Sequence, residues 1–158
     1  MTYPPKLAEI IAFFESQTED ERRGNLIAYA GQAKKHEPKP GETFALEDVR
    51  KDEECTDTVG VFLQLDAEQR AHFRITLGPQ VQTLTKALAA ILCMGLHGTT
   101  LDEILALPAD FVPKIVGGQL VRIRSQTVYY ILTRMQDAAR VLRESSLDFS
   151  PKSARSLD

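Results

Sequence analysis

A change of hydrophobic period in the middle of the chain constrains its fold most. Between residues 59 and 77 the apolar side chains recur at every second position. They are Val59, Val61, Leu63 and Leu65, then Ala71, Phe73, Ile75 and Leu77, with His72, Arg74 and Thr76 interleaved in the second run. Side chains alternate between the two faces of a strand, so this period predicts two strands, each with one buried face. The intervening DAEQR, residues 66–70, is short and polar, which makes the pair a hairpin. Residues 44–49 are read as a third strand. Residues 50–56 are then the connection, with Cys55 in it or at the start of the next strand.

On both sides of this region the period becomes helical. Leu7, Ile10, Ile11 and Phe14 share one face of a helix over residues 6–15, entered through Pro4-Pro5. Thr18 is read as the cap of a second helix, with Glu19, Asp20 and Glu21 in its first turn and Gly31 near its end. HEPKPGET, residues 36–43, is a loop. After Gly78-Pro79, the residues Val81, Leu84, Leu88, Ile91, Leu92 and Leu96 recur at spacings of three and four, a helix that Gly98 closes. Thr99 or Thr100 caps a short helix through Leu105, and residues 108–116 form another short turn or helix. A last helix begins near Ser125, with Val128, Ile131, Leu132, Met135, Ala138, Val141 and Leu142 in its core stripe. The domain ends near residue 145, and residues 146–158, polar and without period, are expected to be a disordered tail. Helices, then strands, then helices predict an α+β fold: a small antiparallel sheet of about three strands flanked by N-terminal and C-terminal helices.

Composition narrows the function. At 158 residues the chain is one ordinary domain. A net charge of −3, the absence of Trp and the lack of a long Lys/Arg run argue against a nucleic-acid partner. No apolar run reaches the roughly 20 residues of a membrane span. The opening MTYPPKLAEIIAFFES carries prolines and the charges Lys6 and Glu9, unlike a secretory signal. The expectation is a soluble, cytoplasmic protein. Its two cysteines, Cys55 and Cys93, form no CxxC pair, so neither a zinc site nor a thioredoxin-like centre is expected. In a reducing compartment a disulfide between them is not expected either.

Four stretches, in order, resemble the SufE family. LIAYAGQ, residues 26–32, is similar to the family's helix ending in Leu-Gly-Gln or Leu-Gly-Lys. Cys55-Thr56-Asp57-Thr58-Val59 is similar to its Cys-x-Ser-x-Val leading into a strand. TKALAAILCMGLHGTTLDEIL, residues 85–105, resembles its Lys-Gly-Leu pattern followed by an apolar run and a Thr-led short helix. Leu120-Val121-Arg122-Ile123-Arg124-Ser125-Gln126 resembles its Arg-containing turn at the start of the last helix. The likeness covers about residues 7–145. Glu54 stands where the family has Gly, Asp57 where it has Ser, Gly60 where an aromatic is common, and Ala87 where it has Gly.

The resemblance implies a sulfur acceptor for iron–sulfur cluster assembly. A cysteine desulfurase, whose pyridoxal phosphate belongs to that partner, leaves a persulfide on its own cysteine. Cys55 would take the sulfur, stimulate the desulfurase and pass the sulfur on, with an iron–sulfur scaffold complex downstream. The chain would then be a carrier and activator, not an enzyme, with no cofactor or metal of its own. Thiolate is the attacking form, and the acids Asp52, Glu53, Glu54 and Asp57 crowd Cys55 against Arg50 and Lys51. Two alternatives stand beside this reading: a regulator that binds the desulfurase without carrying sulfur, and a thiol redox sensor. Arg124 is the second candidate. As the matching family arginine it would brace the cysteine loop or contact the desulfurase. As a residue at a helix start it would bond nearby carbonyls, and the sequence leaves both open. Cys93 reads as a small buried hydrophobe. Its spacing of four from His97 permits a metal pair, but no further ligand is evident. His36, His72 and His97 match no triad, and His72 on the polar strand face reads as solvated. Arg22-Arg23 and Lys34-Lys35 read as solvated helix charges.

Overall fold

A computed structural model describes residues 2–53 and 55–148. Helix α1 (Pro5–Glu15) starts at a proline, whose missing N–H costs nothing at a helix start, and buries Leu7, Ile10, Ile11 and Phe14. Helix α2 (Glu19–Gly31) opens with a reciprocal cap. The Thr18 hydroxyl accepts from the Glu21 N–H, and the Glu21 carboxylate accepts from the Thr18 N–H. A 3-10 turn (Ala33–His36) and the Pro/Gly loop lead to the sheet.

Strands β1 (Leu46–Arg50), β2 (Val59–Leu65) and β3 (Ala71–Leu77) form one antiparallel sheet in the order β1-β2-β3. Val59 pairs with Leu77 and Leu65 with Ala71, so the alternating residues of β2 and β3 fall on one face. That face packs on helix α3 (Thr83–Gly95), whose buried residues include Leu88, Ile91 and Leu92. Removing one such buried side chain down to Ala costs about 2–5 kcal/mol. Strand β1 starts two residues later than the sequence reading and ends one later. Phe44 leaves the sheet to pack its ring 5.3 Å from that of Phe62, and the Ala45 N–H donates to the Gln64 side chain instead of to a strand.

Gly98, at φ +79°, turns the chain out of α3, and Thr100 rather than Thr99 caps α4 (Leu101–Ala106) through another reciprocal box with Glu103. Thr99 is buried, and its hydroxyl donates to the Leu96 carbonyl. Helix α5 (Val112–Val116) follows a 3-10 turn. Helix α6 (Gly118–Ile123), read from the sequence as a turn, is a correction. At six residues, only Leu120 and Val121 packed on the core hold it, too few for a period to show. Helix α7 (Ser125–Asp148) buries Ala138 and Leu142 of the expected stripe but not Val141, which is exposed because it lies one position off the face that Ala138 and Leu142 share. The helix runs three residues into the segment expected to be disordered. The rest of that segment, residues 149–158, lies outside the described residues. The fold is α+β, with the sheet between the N-terminal and C-terminal helices.

Candidate functional site

The β1–β2 connection, residues 51–58, carries Cys55, and its neighbours fix it from two sides. Beneath it lies Arg134, on the inner face of α7 and 1 % exposed. One terminal nitrogen donates to the Asp48 carbonyl (2.7 Å) and the Val59 carbonyl (2.9 Å), tying the end of β1 to the start of β2. The other donates to the Tyr130 hydroxyl (2.6 Å) and lies 3.5 Å from the Asp52 carboxylate. Tyr130 in turn donates to Asp52 (2.9 Å), and Arg50 does so from the strand end (3.1 Å). Burial opposes ionisation of Asp52. The Tyr130 hydrogen bond and the charges of Arg50 and Arg134 outweigh it and hold the carboxyl below the usual carboxylate range. Burial and the bond to Asp52 push the Tyr130 hydroxyl up to about 12, so it stays a donor.

On the far side, residues 56–58 are stapled to the turn after β3. The Asp57 carboxylate accepts the Gln80 N–H (2.8 Å) and the Thr58 N–H (2.7 Å). These two backbone donors hold Asp57 below the usual carboxylate range. The Thr56 hydroxyl donates to the Gln80 carbonyl (2.7 Å), and the Gly78 N–H to the Thr58 carbonyl (2.9 Å). Gly78 is there for room: a Cβ on it would meet the Asp57 carboxylate at 2.3 Å. The residue in place of the family's Ser thus acts as the staple. Gly60, in place of the family aromatic, is enclosed in the same way, with Thr76 Oγ1 2.3 Å from where its Cβ would be.

Cys55 sits between these anchors. Its N–H donates to the Asp52 carbonyl (3.1 Å), and its half-buried side chain packs on the flank of the core. Two of the four acids that crowd it in sequence, Asp52 and Asp57, are committed to the bonds above. Glu53 is exposed, and Glu54 lies outside the described residues. Cys55 and Cys93 are both free thiols.

Arg124 is placed elsewhere. It is exposed at the α6–α7 junction and donates to the Gln82 side chain (3.2 Å), two residues beyond the Gln80 staple. Its link to the Cys55 loop is therefore indirect, through the 78–82 segment. Arg134, which does brace the loop, is the residue the sequence reading missed. The signal was present: Arg134 lies three after Ile131 and four before Ala138, a cation on the apolar stripe. Cys93 is buried, as read, and burial pushes its thiol up to about 12. No group of three or more His, Cys, Asp or Glu able to hold a metal occurs among the described residues. His72 is not simply solvated. It lies 3.0 Å from the Asp66 carboxylate and 4.4 Å, edge to face, from the ring of His97.

Fold and site together define a small α+β domain that presents one half-buried thiol on a side-chain-anchored loop between two strands. The chain belongs to the SufE family, whose description is an Fe-S metabolism associated domain and which matches residues 8–139. That places it in iron–sulfur metabolism. An uncharacterised SufE-like protein of Synechocystis sp. is 31 % identical over 142 residues, covering 87 % of this chain and 82 % of that one. The fold is similar to the solution structure of a hypothetical protein from Thermus thermophilus, with a TM-score of 0.67 and 22 % identity over 90 % of this chain and 99 % of that chain. No helix among the described residues is long and apolar enough to cross a membrane.

Proposed function

We propose that this chain accepts sulfur on Cys55 from a cysteine desulfurase and passes it to iron–sulfur cluster assembly in the cytoplasm. The observation that carries the reading is the placement of Cys55: a free, half-buried thiol on a loop anchored on both sides, within a domain of the SufE family. In the transfer, the Cys55 thiolate attacks the terminal sulfur of the partner's persulfide. A bond forms between Cys55 Sγ and that sulfur, and the bond from it to the partner's cysteine breaks. The partner's cysteine leaves as a thiolate and takes up a proton, so no outside oxidant is consumed. The protein acts as carrier and activator rather than as an enzyme, and needs no cofactor of its own. Arg134 and Asp57 position the loop. Arg124 supports it through Gln82 and offers an exposed cation to the partner.

The test is the intact mass of the chain after mixing with an active desulfurase and cysteine. The expected gain is one sulfur, about 32 Da for persulfidation of one thiol, absent in Cys55→Ser. No gain with an active desulfurase would sink the acceptor reading. A Cys55→Ser variant that still stimulated the desulfurase would leave a docking regulator in its place.

A further inference from the structure

A cleft of about 690 Å³ opens at the opposite end of the β2–β3 hairpin from Cys55. That volume falls within the range of small-molecule sites. Val59 marks the loop end of β2 and Gln64 the cleft end, a separation of roughly 16 Å along a strand. Five elements converge there, and all three histidines of the chain lie on its wall: His36 from the 3-10 turn, His72 from β3 and His97 just past α3. Lys6 of α1 and Arg74 of β3 complete the cationic lining, and Phe44, Phe73 and Met94 provide an apolar one.

The charges around this space do not balance. Lys6, Lys35, Lys39 and Arg74 are cations that act on the cleft histidines, and the carboxylates set against them are Glu42 and Asp66. Arg74 uses its Nε for both oxygens of Glu42 (3.1 and 3.2 Å). Its two terminal amino groups have no hydrogen-bond partner among the described residues, so the remaining guanidinium donors are free for a ligand. Desolvation first, then Arg74, Lys39, Lys35 and His97, hold His36 below the usual imidazole range, and none of these influences favours its cation. Desolvation, then His72, Lys6 and Arg74, hold His97 down against the weaker pull of Asp66. The buried Cys93 thiol on the cleft wall stays neutral. An excess of cations beside an apolar wall matches one ligand chemistry, an oxyanion on an apolar body.

We propose that this cleft is a binding site for a small organic anion, a phosphate ester or a carboxylate, gripped by Lys6, Arg74 and the imidazoles. The site is separate from Cys55, so Cys55→Ser binds the anion as the parent chain does. An entering anion offsets the cationic charges that, beside desolvation, hold His36 and His97 below the usual imidazole range. Binding therefore draws protons onto these rings and tightens as pH falls through the histidine range.

Phenyl phosphate and benzoate are the probes, read by NMR of the histidine ring signals across a pH series, with phenol as the uncharged control. The expected result is saturable binding of at least one of the two anions but not of phenol, with His36 and His97 titrating at higher pH when it is bound. Whichever probe binds identifies the headgroup. Lys6→Gln, an exposed change on α1 that leaves the core untouched, weakens binding about tenfold, the worth of one charge-assisted hydrogen bond. The proposal is overturned by the absence of saturable binding, by equal affinity for phenol, or by binding that Lys6→Gln leaves unchanged. A histidine response to zinc ion and to neither anion would overturn it in favour of a metal site.

Discussion

Strand β2 is connected at both ends by a short polar loop, and the two loops are held in different ways. The hairpin loop at residues 66–70 is held mostly by its own residues, with one distant bond from the Arg70 side chain to the Gly98 carbonyl (3.1 Å). The Asp66 carboxylate accepts the N–H of Glu68 (2.9 Å) and of Arg70 (3.0 Å), and the backbone closes between Asp66 and Arg70. Nearly every partner lies within a few residues. The Cys55 loop at residues 51–58 depends on groups far away in sequence: Gln80 is 23 residues beyond Asp57, and Arg134 is 75 beyond Val59. A loop anchored from afar takes its shape from the finished core, and so holds its thiol at a set distance from that core. A loop anchored on itself forms with its own strands.

The change with the largest expected effect on this contrast is Arg134→Met. It leaves the Tyr130 hydroxyl and two strand-end carbonyls without the donor Arg134 gives them and takes one of three donors from Asp52, at a cost of about 3 kcal/mol in urea unfolding. Amide exchange should rise in residues 51–58 while the hairpin at 66–70 stays protected. An equal rise in both loops would break the comparison. Next is Gly78→Ala, whose Cβ displaces the Asp57 carboxylate. Exchange of the Gln80 N–H should accelerate roughly tenfold, as expected for one lost hydrogen bond, without change at Glu68 or Arg70.

Acid separates the two ends more gently. His36 and His97 are held below the imidazole value of the unfolded chain, so the unfolded state takes up their protons first. The stability they contribute is present above about pH 6.5 and lost as pH falls toward their lowered folded values. Asp52 and Asp57 are held below the ordinary carboxylate value, so their contribution is intact until about pH 4 and lost as pH falls further. Asp66, held down mainly by His72 and the Arg70 N–H, follows the same course. Backbone NMR against pH should therefore show the histidine cleft responding first and the carboxylates of both loops, Asp66 as well as Asp52 and Asp57, later. The reverse order would remove the distinction. The smallest effect is expected from Gln69→Gly. Gln69 is the one non-glycine with positive φ among the described residues, at +63°. Glycine there should stabilise the chain by about 0.5 kcal/mol, read by thermal unfolding, because relief of the left-handed strain exceeds the added freedom of the unfolded chain.

Much of this architecture was legible in the residues because its causes are local. The alternation over residues 59–77, the Thr18 cap and the stripe of α3 each depend on neighbours a few positions away. The same holds for the Cys55 loop as a loop, since a polar run between two strand patterns needs no partner to be recognised. Helix α6 escaped because six residues are too few to show a period. Arg124 was singled out by its match to a family arginine, yet its partner is Gln82. Arg134 was passed over because a cation among apolar residues shows its purpose only once two strand ends and a carboxylate are in place around it.

Local pattern, then, settled the order of elements, the buried face of each strand and the loop that bears the thiol, because periodicity and capping act over one or two helical turns. Which arginine clamps that loop, what the acids around Cys55 bond to, and that three histidines from separate elements share one cleft were settled by the packing of α7 and α3 on the sheet. The bonds that anchor the loop join residues as far apart as 23 and 86 positions. The hydrogen bonds and charges that decide such contacts act through space, where sequence spacing carries no information.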